Sequence, residues 1–156
     1  RRGARTDEYL GILRSLWAGD NDGFEGEFFS LPACTVSPTP VQTPHPPIHI
    51  GGETDAALRR VARHGQGWHT FNRAPADMAG ALARLDELLA AEGRTRADCV
   101  ITVCPYMLGL DEAGVEAYAE AGADAVAALV LALDAASVPA LFDGLEPLID
   151  RARRCG

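Results

Sequence analysis

The chain has 156 residues, 47% of them hydrophobic, and a formal net charge of −8. That length suits one domain of roughly 100–200 residues. The apolar share argues against global disorder, and the acidic balance argues against nucleic acid or an anionic membrane surface as partner. No apolar run reaches the ~18 residues that a membrane helix needs, and all 14 basic residues are arginine, which excludes lysine Schiff bases, lysine general bases and the P-loop lysine.

The opening, Arg1-Arg2-Gly3-Ala4, lacks both Met and an apolar signal segment and reads as a piece of a longer protein or an incomplete gene model. Abundant arginine and alanine suggest a GC-rich genome. The cysteines, Cys34, Cys99, Cys104 and Cys155, form no C-x-x-C and none stands at zinc spacing to a histidine. They are expected to be reduced and structural in a cytoplasmic protein with no bound metal.

The first helix is expected over 6–18, capped by Thr6 and ended by Gly19, with Leu10, Leu13 and Trp17 on one face and Ile12 and Leu16 widening it. Residues 22–29 suggest a short hairpin or irregular loop. Pro38, Pro40, Pro44, Pro46 and Pro47 make 38–47 a stiff extended connector, because proline fixes φ and removes a donor.

From residue 48 the pattern becomes regular. Ile48-His49-Ile50 reads as a strand entering Gly51-Gly52, and a helix follows from Thr54 to His64, stopped by Gly65. Residues 67–71 form the next strand. Pro75 opens a helix with Leu82, Leu85, Leu88 and Leu89 on its apolar side, closed by Gly93. Residues 100–104 give a third strand, and a helix runs from Asp111 to Ala121. The apolar run 125–131 reads as a fourth strand. Ser137 is expected to cap a last helix with Leu141, Phe142, Leu145, Leu148 and Ile149 inward.

The order βαβαβαβα implies parallel pairing, and strands apolar throughout imply cover on both faces. An open doubly wound sheet fits this length. A closed (β/α)8 barrel needs around 250 residues, so four units would be half of one.

Gly51-Gly52-Glu53-Thr54 is the leading site candidate. It joins the carboxyl end of a strand to a helix N-terminus, where glycines let backbone N–H groups approach an anion. It serves equally as a tight turn with a capping threonine, and it is not the G-x-G-x-x-G of a Rossmann site. The Glu53 carboxylate is expected to point away or to bond backbone. Thr70 or Phe71 is expected to line a pocket at the end of the next strand, since alternation turns only one set inward. His69 is a candidate acid–base group that serves equally as a packed residue, and His49 and His45 are weaker candidates. The helical carboxylates read as solvated surface.

Several segments together resemble the luciferase-like monooxygenase superfamily, in its branch that uses the deazaflavin F420. Residues 38–52 look like that family's proline-rich lead into a barrel strand and Gly-Gly turn, and 56–69 like its next helix and strand. Residues 9–17 and 24–29 fit its LRxLW helix and FxGxxF loop, and 91–94 and 118–124 fit further on. Gln66 stands where the family often has Asp, and His49 where Trp is common.

The resemblance implies an α/β fold, the C-terminal half of a (β/α)8 barrel spanning 1–156, with 1–47 as helix, loop and lead-in and 48–156 as βα units. It implies coenzyme F420, with FMN as the alternative. Gly51, Gly52, Glu53 and Thr54 would hold the cofactor phosphate, and Thr70 or Phe71 would touch its chain or ring. The implied activity is that of an F420- or flavin-dependent oxidoreductase or monooxygenase acting on a small organic substrate, with a homo-oligomer possible. A truncated, non-catalytic binding or assembly piece is the alternative from another class.

Overall fold

A computed structural model describes residues 1–20 and 22–155. The chain divides into two compact units, Arg1–Ile48 and His49–Gly156.

In the first unit, helix α1 spans Arg2–Trp17. It starts four residues before the expected Thr6 cap, because arginine and alanine carry the helix outward. Thr6 instead lies inside it, its hydroxyl donating to the Arg2 carbonyl at 3.0 Å. Strands β1 (Phe24–Glu25) and β2 (Ser30–Leu31) pair antiparallel, so of the expected hairpin or irregular loop a hairpin forms, its second strand lying just past residue 29. Its connection is pinned by one side chain. The Glu8 carboxylate accepts from the backbone N–H groups of Glu27, Phe28 and Phe29 at 2.7–3.2 Å. A Cβ at position 26 would lie 2.5 Å from that carboxylate, which accounts for Gly26. His45 contacts Trp17, ring centroids 5.8 Å apart, within this unit.

The second unit is a parallel sheet with strands in the order β3 (His49–Gly51), β4 (Gly67–Phe71), β5 (Val100–Cys104) and β6 (Ala125–Val126). Helices α2 (Asp55–His64), α3 (Met78–Ala91) and α4 (Glu112–Glu120) form the crossovers. Pro75–Asp77 makes a 3-10 turn leading into α3.

Strand alternation decides which faces are covered. Trp68, Thr70, Ile101 and Val103 are fully buried together with Val61, Met78, Leu85 and Leu89 from the helices. On the opposite face His49, Gly51, Phe71 and Val100 are exposed, and His69, Thr102 and Cys104 are half-buried. A doubly wound sheet reverses its strand order and carries helices on both faces. Sequential order with helices on one face is the barrel arrangement, so the expected α/β fold of four parallel βα units holds.

Helix α2 ends at His64 with Gly65 as its C-cap, as expected, and Gly65 is extended, at φ −90° and ψ 143°. The helix terminus is closed further by Arg94, whose guanidinium donates to the carbonyls of Val61, Ala62 and Gly65 at 2.7–3.1 Å. Arg94 also reaches the Asp98 carbonyl at 2.9 Å.

The fourth strand stops at Val126, well short of residue 131, and Leu131 and Leu133 are largely exposed. Among the described residues its partner is β5, which is followed by Pro105, a residue with no N–H with which to extend the ladder. The last helix is broken into α5 (Val138–Asp143) and α6 (Glu146–Cys155), because Pro147 has to sit in a first turn. Ser137 provides no side-chain cap and bonds Asp134 instead, while Leu141, Phe142 and Ile149 are exposed rather than inward.

Arg94→Met keeps the aliphatic stem and removes four donors from helix-end and loop carbonyls. Water reaches part of that terminus, so the expected loss is about 2 kcal/mol, measured by urea unfolding. An unchanged midpoint would show that solvent caps α2 equally well.

Candidate functional site

Parallel strands bring their carboxyl ends to one edge, so the turns after β3, β4 and β5 are neighbours. In the first turn the two glycines are unequal. Gly52 has φ +122°, and a Cβ there would stand 3.1 Å from the Ala57 Cβ. A Cβ at Gly51 would meet only the His69 carbonyl oxygen, at 3.8 Å. Gly52 is therefore the constrained position. The turn is held from the core side, where the Trp68 indole N–H donates to the Gly52 carbonyl at 2.9 Å.

Thr54 is the N-cap of α2, its hydroxyl accepting from the Ala57 N–H at 3.2 Å. First-turn N–H groups of a helix have no intrahelical acceptor and favour negative charge. The carboxylates beside them are each neutralised. Asp55 accepts from Arg84 at 2.7 Å and pairs with Arg59, and the Arg84 hydrogen bond holds its carboxyl below the usual range. Glu53 pairs with Arg73, whose Nε lies at 3.0 Å.

Glu53 also stitches two turns together. Its Oε1 accepts from the Thr70 hydroxyl at 2.8 Å and from the Phe71 N–H at 2.7 Å. The carboxylate does bond backbone. Thr70 is fully buried on the helix-covered face with its hydroxyl on Glu53, whereas Phe71 is 49% exposed on the open face. Of the two, Phe71 is the one a ligand on the open face can reach. His69 shares that face, in register with Gly51 and Thr102. His49 is exposed, and its ring packs on the bare Cα of Gly67, where a Cβ would fall 2.4 Å from Nδ1. His45 lies in the first unit, its Nδ1 at 2.8 Å from the Pro46 carbonyl.

Three residues join this edge that the sequence reading did not include. Arg73 is fixed by Glu53, by the Asp77 carbonyl at 3.2 Å and by proximity to the Trp68 ring. Its own carbonyl accepts from the Tyr118 hydroxyl at 2.8 Å, and burial pushes the Tyr118 pKa up, keeping it a neutral donor. Asn72 accepts from the Met107 N–H at 3.0 Å, and the Tyr106 ring lies 4.8 Å from that of Phe71. All three lie one or two residues past a strand end, which is the one signal that could have found them. Among the described residues, no group of three or more His, Cys, Asp or Glu is placed to hold a metal ion. Nor is any helix long and apolar enough to cross a membrane.

The model of the luciferase-like monooxygenase family matches residues 1–147. An uncharacterized protein of Mycobacterium tuberculosis is 40% identical over 95 residues, covering 61% of this chain and 32% of the relative. The FMNH(2)-dependent dimethylsulfone monooxygenase of Pseudomonas putida is 34% identical over 86 residues, covering 55% of this chain and 23% of that enzyme. The chain thus spans about a third or less of the length of these curated relatives. Among solved structures, an F420-dependent secondary alcohol dehydrogenase in complex with an F420-acetone adduct superposes with a TM-score of 0.75. That match covers 95% of this chain and 62% of that one at 14% identity, a likeness of fold.

Proposed function

The chain belongs to the luciferase-like monooxygenase family, and from that premise we propose that it carries the cofactor-phosphate site of an oxidoreductase that uses F420 on a small organic substrate. The observation that carries the site is Gly52, whose φ of +122° and missing Cβ leave the backbone open just before the capped N-terminus of α2. The donor set fits a phosphate-bearing cofactor. Backbone N–H groups and the Thr54 hydroxyl supply neutral donors, and both nearby carboxylates are already paired with arginines.

When bound, the cofactor supplies the hydride chemistry. The chain's own residues bind and orient. Gly51, Gly52 and Thr54 would hold the phosphate, Glu53 locks their turn to the end of β4, and Phe71 would touch the cofactor's chain or ring from the open face. F420 rests on the motif resemblance. FMN is the second reading, favoured by the FMNH(2)-dependent relative, and it needs the same phosphate site.

Titrating the protein with F420 and with FMN separately tests the choice. Tight FMN binding without F420 binding would overturn F420, and binding of neither would overturn the function. Gly52→Val is expected to lower affinity for the cofactor that binds by ~10-fold or more, the loss of one or more charge-assisted hydrogen bonds. Unchanged affinity in a well-folded Gly52→Val protein would remove the turn from the site.

A further inference from the structure

Among the described residues, the two non-glycine positions with positive φ are Asn72 at 52° and Tyr106 at 49°. They follow the ends of adjacent strands, β4 and β5. Asparagine tolerates this region, but tyrosine rarely enters it, so neighbouring bonds must hold Tyr106 there. The bonds are present. The Asn72 N–H donates to the Cys104 carbonyl at 2.8 Å, and the Asn72 side-chain oxygen accepts from the Met107 N–H at 3.0 Å. The Leu108 N–H closes the turn on the Pro105 carbonyl at 3.0 Å.

The result is a placed pair of rings. Tyr106 and Phe71 lie 4.8 Å apart, tilted by 38°, a favourable aromatic arrangement, with 43% and 49% of their surfaces exposed. They border two clefts with different side chains. Phe71 borders one with Glu53, Arg73 and Asp77. Tyr106 borders one whose other side chains, from Pro105, Leu110, Leu129, Leu145 and Leu148, are uncharged and apolar, with the backbone of Gly109 and Ala128 between them. Its volume is about 130 Å³, close to the roughly 150 Å³ in which a protein cavity holds benzene.

We propose that Asn72 is a positioning residue that holds Tyr106 against Phe71, and that the leucine-lined cleft beside this aromatic pair takes a single-ring, uncharged portion of the substrate. The proposal rests on this edge being the ligand site. The phenol hydroxyl is the one side-chain donor the cleft offers, and a charged group would find no charged side chain there.

The test uses the full chain, benzyl alcohol as probe and isopropanol as control, followed by saturation-transfer NMR of the probe. Fluorine NMR of fluorotyrosine-labelled protein, with Tyr106 assigned through Tyr106→Phe, reports the wall itself. Benzyl alcohol is expected to move the Tyr106 resonance at millimolar concentration while isopropanol does not. Asn72→Asp keeps an acceptor and the tolerance of positive φ, so it should bind as the wild type does. Asn72→Gly keeps the backbone freedom but loses the acceptor, and should bind about fivefold more weakly, the effect of one net hydrogen bond. Should Asn72→Gly fail to fold, Tyr106→Leu, which leaves the Asn72–Met107 bond in place, should weaken binding similarly. A Tyr106 resonance indifferent to the probe, wild-type affinity in Asn72→Gly or Tyr106→Leu, or failure of Asn72→Asp to rescue would each overturn the proposal. No cofactor enters this titration, so a chain that binds neither F420 nor FMN would overturn the function without deciding the wall.

Discussion

Trp68→Ala is expected to cost about 3–5 kcal/mol, the range for truncating a fully buried large aromatic. Trp68 is 0% exposed and stands in register between Ile50 and Ile101. Its removal opens a cavity under the helix-covered face of the sheet, where Leu58, Val61, Met78 and Leu85 are also buried. It also frees the Gly52 carbonyl, to which the indole N–H now donates, so the candidate phosphate turn loosens along with the core. Trp68→Phe separates the two effects. It refills most of the volume and removes only the hydrogen bond, at an expected cost of about 1–2 kcal/mol. Circular-dichroism melts at matched protein concentration measure both, because any association adds to apparent stability. A Trp68→Ala protein within 1 kcal/mol or so of the wild type would mean that the site collapses readily and that Trp68 is no anchor.

The βα order from residue 48 was legible because its punctuation is chemical. Thr54 and Asp111 cap, Pro75 opens, and Gly93 and Gly122 turn the chain at positive φ. The buried stripe Leu82, Leu85 and Leu89 follows from helical period alone. The extent of β6 was not legible, because it depends on its neighbour: apolar residues 127–131 look like strand, but Pro105 removes the partner's next donor. The break at Gly144, where one helix after Ser137 is expected, follows from Pro139 and Pro147, each of which suits a first helical turn. In the site, the turn Gly51-Gly52-Glu53-Thr54 was visible as a pattern. Which glycine is obligatory needs φ, and which of Thr70 and Phe71 is free needs the covered face. In Gly-Trp-His-Thr-Phe, each face carries one large aromatic, so alternation alone does not distinguish them. Asn72 and Tyr106 were marked only by their place just after strand ends, since nothing local marks a tyrosine for positive φ.

At micromolar concentration the 156-residue chain is expected to elute from size exclusion as a dimer or larger species, with light scattering giving the mass. A closed barrel has no edge strands and fills its interior with layers of side chains. Among the described residues β3 and β6 are edges, each paired on one side. They are only three and two residues long, which limits what backbone pairing between copies can contribute. The larger drive is apolar surface. Phe71 and Val100 stand half exposed on the open face, and Met107, Leu131 and Leu133 are 70% exposed or more. Val100→Lys places a charge on the open face at the amino end of β5, remote from the candidate site at the carboxyl ends. A shift of that variant toward monomer would assign the association to the open face, whereas unchanged mass would point to the exposed segment around Leu131 and Leu133. A stable monomer of the unaltered chain that melts cooperatively would show that one helix-covered sheet suffices to hold four βα units, and that the open face is tolerated in water as it stands.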